Sequence, residues 1–340
     1  YASDNQSGLF YPPNLLLALF PDVSYRAIEW LVILHVFIAG VGMYYAAKSQ
    51  HRSTSIYPPL AAALAFQFSS IFVTHVGNLN IIASASYLPW AWFFMKRLRD
   101  TQTIKSASIA AIPLSLSIFS GHAQISLIVC IAILTYSVWY LKHSNHRLKW
   151  LALVTYTAIL TIGLSAIFVF PSIEMSQYTH RASYTYEEAS RFNVPLEGLV
   201  GMISPLLYGR GAQHFWPGWD RVELGFTGLT TLFLATLGIR LRKRQIPLLL
   251  IAAIGLIVAL GNATPVHKLM YDYLPGFSLL RAPARFILLT NFSIAMLACS
   301  GLYYWQTNKI NNKRVWKTLL TISLLAITLL PLAWYATSQK

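Results

Sequence analysis

An all-α bundle of about ten membrane-spanning helices is the fold class the sequence predicts, and three observations predict it. Hydrophobic residues fill 56% of the 340 positions and charged ones only 11%, more apolar surface than one soluble core can bury. The apolar residues gather into stretches close to the roughly 20 residues a helix needs to cross hydrocarbon. The loops between them alternate between rich and poor in Lys and Arg, the signature of a polytopic chain.

Taken in order, the chain opens on a polar stretch, Tyr1 to Gly8, that starts without Met and reads as the interior of a loop. It is expected to be a piece of a longer protein. Tyr11 to Phe20 follows, ten residues after Pro12 and Pro13, too short to span and predicted to lie as an interfacial helix. Ten spans are then predicted over 28–47, 57–75, 79–95, 105–119, 123–141, 150–170, 223–239, 246–261, 284–305 and 316–336, the fourth and eighth being short. Pro89, Pro113 and Pro331 are expected to kink rather than break them, because neighbouring helices can satisfy the freed carbonyls. Trp90, Trp92, Trp150, Trp316 and Trp334 near span ends suggest an interfacial belt. The whole of 1–340 reads as a single transmembrane domain, with outer loops at 1–27, 171–222 and 262–283.

The net charge of +15 comes from 26 basic and 11 acidic residues. In a soluble protein it would suggest a nucleic-acid partner, but here the basic residues follow topology. Lys48 and Arg52, Lys96 to Lys105, Lys142 to Lys149, Arg240 to Arg244 and Lys309 to Lys317 fall on one face, which makes that face cytoplasmic. Every carboxylate except Asp100 falls on the other, so the carboxylate chemistry is expected outside the cell. With both ends outside, at least one further helix is expected upstream. Cys130 and Cys299 lie inside apolar runs, which excludes a disulfide scaffold. No Walker loop, GxSxG motif or dinucleotide fingerprint is present, and no spacing resembles a zinc site. No cofactor is identified, and a divalent metal has no support; His35 and His75 read as hydrogen-bonded bundle residues.

Three groups of residues could carry chemistry. The turn Ser120-Gly121-His122-Ala123-Gln124 joins two spans with almost no spare chain, so His122 and Gln124 either line a substrate path or cap a helical hairpin. Arg281-Ala-Pro-Ala-Arg285 places Pro283 in a predicted first helical turn with two arginines four apart on one face. Cations at a helix start oppose the macrodipole unless an anion sits there, which suits a phosphate. Lipid headgroup contact, or pairing with Asp272, Glu174 or Glu197, would explain them equally simply. Glu174 after Pro171, with Arg181, Glu187, Glu188 and Arg191 beyond it, offers a general base or one half of an ion pair.

The stretch Ala259-Leu-Gly-Asn-Ala-Thr-Pro-Val-His267, Leu274-Pro-Gly-Phe277, Arg281-Ala-Pro-Ala-Arg-Phe286 and Gly301-Leu302 resembles the bacterial YfhO-type membrane protein family. Gln6 to Asn14, Gly40 to Tyr44, Ser120 to Gln124 and Glu223-Leu-Gly-Phe-Thr-Gly228 agree with that family in order. The resemblance implies a GT-C type glycosyltransferase in the bacterial cytoplasmic membrane. Such an enzyme takes a sugar from a polyprenyl-phosphate donor and passes it to a cell-envelope glycan or polymer acceptor at the extracytoplasmic face. It also implies a catalytic carboxylate in the first outer loop, expected upstream of Tyr1, with Asp4 and Glu174 as weaker candidates within the chain. Arg281 and Arg285 would hold the donor phosphate, and His122, Gln124 and Arg181 would line the pocket. A non-enzymatic lipid-linked glycan transporter, flippase or export scaffold could use the same arginines.

Overall fold

The computed structural model of the chain describes residues 8–20, 22–51, 54–176, 178, 184–205, 223–274, 276–308 and 321. Asp4, Arg181 and, apart from residue 321, the tenth predicted span, 316–336, lie outside the described residues. Among those described there is no strand.

The helices are α1 (Pro12–Leu17), α2 (Tyr25–Lys48), α3 (Tyr57–Gln67), α4 (Ser70–Thr74), α5 (Leu79–Ser86), α6 (Leu88–Thr101) and α7 (Ile104–Phe119). They continue as α8 (Ala123–His143), α9 (Arg147–Ser176), α10 (Tyr186–Ser190), α11 (Leu229–Gly238), α12 (Arg242–Ala259), α13 (Pro265–Tyr273) and α14 (Ile287–Thr307). Five stretches are long and apolar enough to cross a membrane: Tyr25–Lys48, Tyr57–Thr74, Ala123–His143, Arg147–Met175 and Pro283–Thr307. Ile104–Phe119, Leu229–Gly238 and Gln245–Ala259 are apolar but shorter. The protein is therefore a helical membrane protein, and these eight stretches fall on eight of the ten predicted spans.

The remaining described span, 79–95, differs from expectation. It is α5 and α6, parted at Tyr87, one residue before the Leu88-Pro89 start of α6. Tyr87 keeps right-handed backbone angles (φ −87, ψ −10), so the interruption is brief. Proline supplies no N–H and fits a first helical turn better than an interior. Pro113 and Pro171, in contrast, sit inside continuous helices. At 223–239 the α-helix covers only Leu229–Gly238; the preceding residues are non-helical, with left-handed glycines at Gly225 (φ +72) and Gly228 (φ +95). Trp92 and Trp150 are buried, so the expected aromatic belt does not include them. Trp150 donates its indole N–H to the Ser137 carbonyl at 3.0 Å.

The chain divides into two compact units, one formed by 1–53 and 75–183, the other by 54–74 and 184–340. In the first, α7 packs against α5, α6, α8 and α9, with Ala107, Ala110, Ala111 and Ser115 buried. Small residues let helices approach where lipid gives no hydrophobic drive between them. The apolar window of α9 is only 28% buried, and Ile159, Ile162, Ile167 and Phe170 are exposed, the surface expected of a helix facing lipid.

In the second unit the apolar window ending in α14 is 89% buried, so this helix is the unit's core. It packs against α3, α11 and α12. Glycines set the approach: a Cβ on Gly301 would lie 1.8 Å from the Leu234 carbonyl oxygen, and one on Gly255 would lie 2.8 Å from that of Phe286. Polar groups tie the same faces together. Gln245 donates to the Ser300 hydroxyl at 3.0 Å, and Thr290 donates to the Ala252 carbonyl at 3.1 Å.

Candidate functional site

In the first unit the chain reverses between α7 and α8 through Gly121, whose left-handed φ of +86 a side chain would resist. His122 is the N-cap of α8, its Nδ1 accepting the Ile125 N–H at 3.2 Å. One of the helix's orphan donors is thereby satisfied, and Nδ1 is committed to the cap. The Ser120 and Ser126 hydroxyls both donate to the Ser117 carbonyl at 2.7 Å, while the Ser117 hydroxyl donates to the Ser84 carbonyl at 3.1 Å. These bonds pin the turn to α5. Gln124 is buried beside it.

Gly8 lies against this turn: a Cβ there would be 3.4 Å from the Ser120 carbonyl oxygen, and Asn14 donates to the Gly8 carbonyl at 3.0 Å. Next to Gly8, Tyr11 is buried in a chain of hydrogen bonds. His35 Nδ1 donates to the Leu31 carbonyl at 2.6 Å, so its Nε2 accepts from the Tyr11 hydroxyl. Tyr87 is left to donate to Tyr11, at 2.7 Å. His35 is thus the hydrogen-bonded bundle residue its position suggested. Two segments that carry the family resemblance, more than a hundred residues apart, meet here. Glu174, on the last turns of α9, is exposed and joins no ion pair among the described residues.

The arginine motif belongs to the second unit, and its local structure differs from expectation. Ala282 adopts a left-handed conformation (φ +60), a 3-10 turn covers Pro283–Phe286, and α14 begins only at Ile287. Arg281 therefore precedes the helix, and the two arginines do not share a helical face. Arg281 is exposed, with its guanidinium 5.8 Å from the centre of the Phe192 ring. Arg285 is mostly buried, its Nε 4.0 Å from Oε1 of Glu223, whose side chain has no exposure at all.

Around this motif the second unit forms a small irregular cap. Ala282 N–H donates to the Arg191 carbonyl at 3.1 Å, and Ala284 N–H to the Phe192 carbonyl at 3.3 Å. Val194 N–H donates to the Ala259 carbonyl at 2.8 Å, and Asn193 donates at 2.9 Å to both the Leu260 carbonyl and the Asn262 side chain. Gly261, left-handed at φ +54, admits Asn193: a Cβ there would lie 2.5 Å from that of Asn193. His267 is buried between Tyr186 and Phe277, and burial pushes its pKa down to about 4. Burial raises the Tyr186 hydroxyl pKa, opposed by the Lys268 ammonium 4.8 Å from its ring.

Sequence reasoning missed two features of this cap. Glu223 looked like the edge of a span, although a carboxylate followed by glycines at 225 and 228 is an unusual way to begin a helix. Arg191 and Phe192 stood in a long loop with no local signal tying them to Arg281, 90 residues on. Of the expected partners for the arginines, Asp272 instead pairs with Lys268 at 3.3 Å. Among the described residues no three His, Cys, Asp or Glu side chains group as metal ligands.

No curated protein and no solved structure is matched by the chain. A family model does match, over residues 10–337, which takes in both units. The chain belongs to the family described as 6-pyruvoyl-tetrahydropterin synthase related domain, a family of membrane proteins.

Proposed function

We propose that the chain is a YfhO-type, GT-C-like glycosyltransferase of the bacterial cytoplasmic membrane, acting at the extracytoplasmic face on a polyprenyl-phosphate sugar and a cell-envelope glycan or polymer acceptor. In this reaction an acceptor hydroxyl attacks the anomeric carbon, and the bond from that carbon to the donor phosphate oxygen breaks. A carboxylate removes the hydroxyl proton. The polyprenyl phosphate leaves with the negative charge, which preorganised guanidinium groups stabilise. Arg281 meets this phosphate, and Arg285 adds positive potential from its site beside Glu223. The proton acceptor is assigned to a carboxylate of the outer face.

What carries the proposal is Arg281: an exposed guanidinium on a turn whose backbone is fixed to the 191–194 segment, in a chain otherwise poor in charge. The test is transfer of labelled sugar from polyprenyl phosphate by the protein in membranes. Arg281→Lys keeps the charge but removes the planar fork, and should lower turnover roughly ten- to hundredfold. No transfer to any envelope acceptor by the wild type would reject the proposal.

The transporter or flippase alternative is favoured by one observation. The apolar stretch Tyr57–Thr74 is interrupted between α3 and α4, and the Ser70 N–H at the break donates to the Phe226 carbonyl at 2.8 Å. Irregular backbone inside an apolar span is tolerated where protein satisfies it, and recurs in transporters. Movement of a labelled polyprenyl-phosphate sugar across vesicles, without transfer, would select this alternative.

A further inference from the structure

We infer that Arg191 and Arg281, which share one aromatic neighbour, Phe192, form a two-arginine site for the phosphate group of a lipid. The lipid's identity as a polyprenyl phosphate rests on the transferase proposal; the site itself does not. The inference differs from the expected pairing of Arg281 with Arg285, because Arg285 is directed to Glu223 and Arg191 takes its place.

The geometry starts from the ring. The Arg191 guanidinium carbon is 5.6 Å from the Phe192 centroid and that of Arg281 is 5.8 Å away, so two cations 90 residues apart share one aromatic neighbour. Each contact is weak at an exposed site. Mutual repulsion opposes both, so side-chain attraction alone gives little reason for the arrangement. The backbone imposes it. Arg191 and Phe192 each give their carbonyl to an N–H of the 282–284 turn. Phe192 (φ +63) and Ala282 (φ +60) are both left-handed without being glycine. Such residues are strained and concentrate where a local shape is needed for binding.

Three carboxylates of this unit have other partners, and Glu187, exposed four residues before Arg191, enters no ion pair among the described residues. Glu188 closes the capping box of α10 with Thr185, Asp272 pairs with Lys268, and Glu223 faces Arg285. Among the described residues neither Arg191 nor Arg281 enters an ion pair, and both side chains are exposed. A phosphate monoester carries about −1.5 to −2 charges at neutral pH and presents three acceptor oxygens. It matches two planar forks better than a carboxylate does, and relieves the repulsion between them.

The test uses the full chain in detergent with farnesyl phosphate as the probe, and inorganic phosphate in parallel. Arg191→Lys and Arg281→Lys should each weaken farnesyl phosphate binding roughly tenfold. Arg147→Lys, in the other unit, should leave it unchanged. Melting temperatures should stay at the wild-type value, since both arginines are exposed. Weakened binding of farnesyl phosphate alone identifies a lipid phosphate; parallel weakening with inorganic phosphate shows that the headgroup suffices. Loss of binding in both variants, with no sugar transfer by the wild type, would uphold the site and reject the transferase proposal. Wild-type affinity in Arg191→Lys and in Arg191→Gln would overturn the inference even if the wild type transfers sugar.

Discussion

Replacing Gly301 by Ala tests the core of the second unit with a single methyl group. A Cβ at Gly301 would lie 1.8 Å from the Leu234 carbonyl oxygen, and one at the facing Gly238 would lie 2.1 Å from that of Leu297. A relaxed carbon–oxygen contact is about 3.3 Å, so the methyl group requires α11 and α14 to part by roughly 1.5 Å. A gap of even about 0.5–1 Å forfeits a quarter to a half of each dispersion contact along the seam. Overpacking typically costs about 1–3 kcal/mol, and the upper end applies because the obstacle is backbone and cannot change rotamer. The better helix propensity of Ala returns up to about 1 kcal/mol. A net loss of about 2 kcal/mol remains, which at roughly 2–4 °C per kcal/mol is a fall of about 4–8 °C in melting temperature. Gly163→Ala is the control. Nothing lies within 4 Å of a Cβ there, so the same change in α9 should be neutral or stabilise by up to about 1 kcal/mol. Thermal unfolding followed by tryptophan fluorescence compares the two. Equal melting temperatures would refute the close crossing of α11 and α14.

Removing the Arg285 guanidinium leaves Glu223 buried without that countercharge. Loss of a buried partner costs about 3–5 kcal/mol, and the partial exposure of Arg285 and the long 4.0 Å contact bring the expectation down to about 2 kcal/mol. Arg285→Gln should therefore melt lower, and adding Glu223→Gln should recover part of the loss; wild-type stability in the single variant would count against the pair. The His267 pKa of about 4 is below its unfolded value of about 6.5, so between these pH values the unfolded chain binds the extra proton. Stability should fall as pH drops through that window, level off below it, and lose part of this dependence in His267→Phe; an unchanged pH profile in the variant would contradict the assignment. Single cysteines at Tyr184 and Arg242, in a background free of Cys130 and Cys299, should react with impermeant thiol reagents from opposite sides of the membrane. Labelling of both from one side would overturn the topology inferred from the basic loops.

The fold class was legible because apolar run length and charge alternation are both local properties. What they could not separate is a helix that faces lipid from one that faces protein, since both are apolar all round. The α9 and α14 sequences read alike, yet the apolar window of one is 28% buried and that of the other 89%. The distinguishing signals are small and polar groups that only make sense against a neighbour: Gly301 against Gly238, Ser300 against Gln245, Thr290 against Ala252. The break at Tyr87 was missed for a related reason. Hydropathy is blind to it, because it averages over a whole span and Ser86, Tyr87 and Leu88 are only three residues of one. The start of α11 was misplaced because Leu224 and Phe226 are apolar whether helical or extended.

The candidate site was legible residue by residue but not as an arrangement. Arg281 stood out through its motif, and the motif then misled: Pro283 favours a first helical turn, but the left-handed Ala282 before it turns Arg281 away from the face it would have shared with Arg285. No local preference predicts a left-handed alanine. It is held by the carbonyls of Arg191 and Phe192, which belong to a different loop. The roles of the two motif arginines consequently separate. Arg285 faces a fully buried carboxylate, while Arg281 is exposed near the Phe192 ring, which Arg191 also approaches. Lysine at 285 should therefore register mainly in melting temperature, and lysine at 281 mainly in phosphate affinity. A single motif read as one anion clamp would instead require both substitutions to act alike.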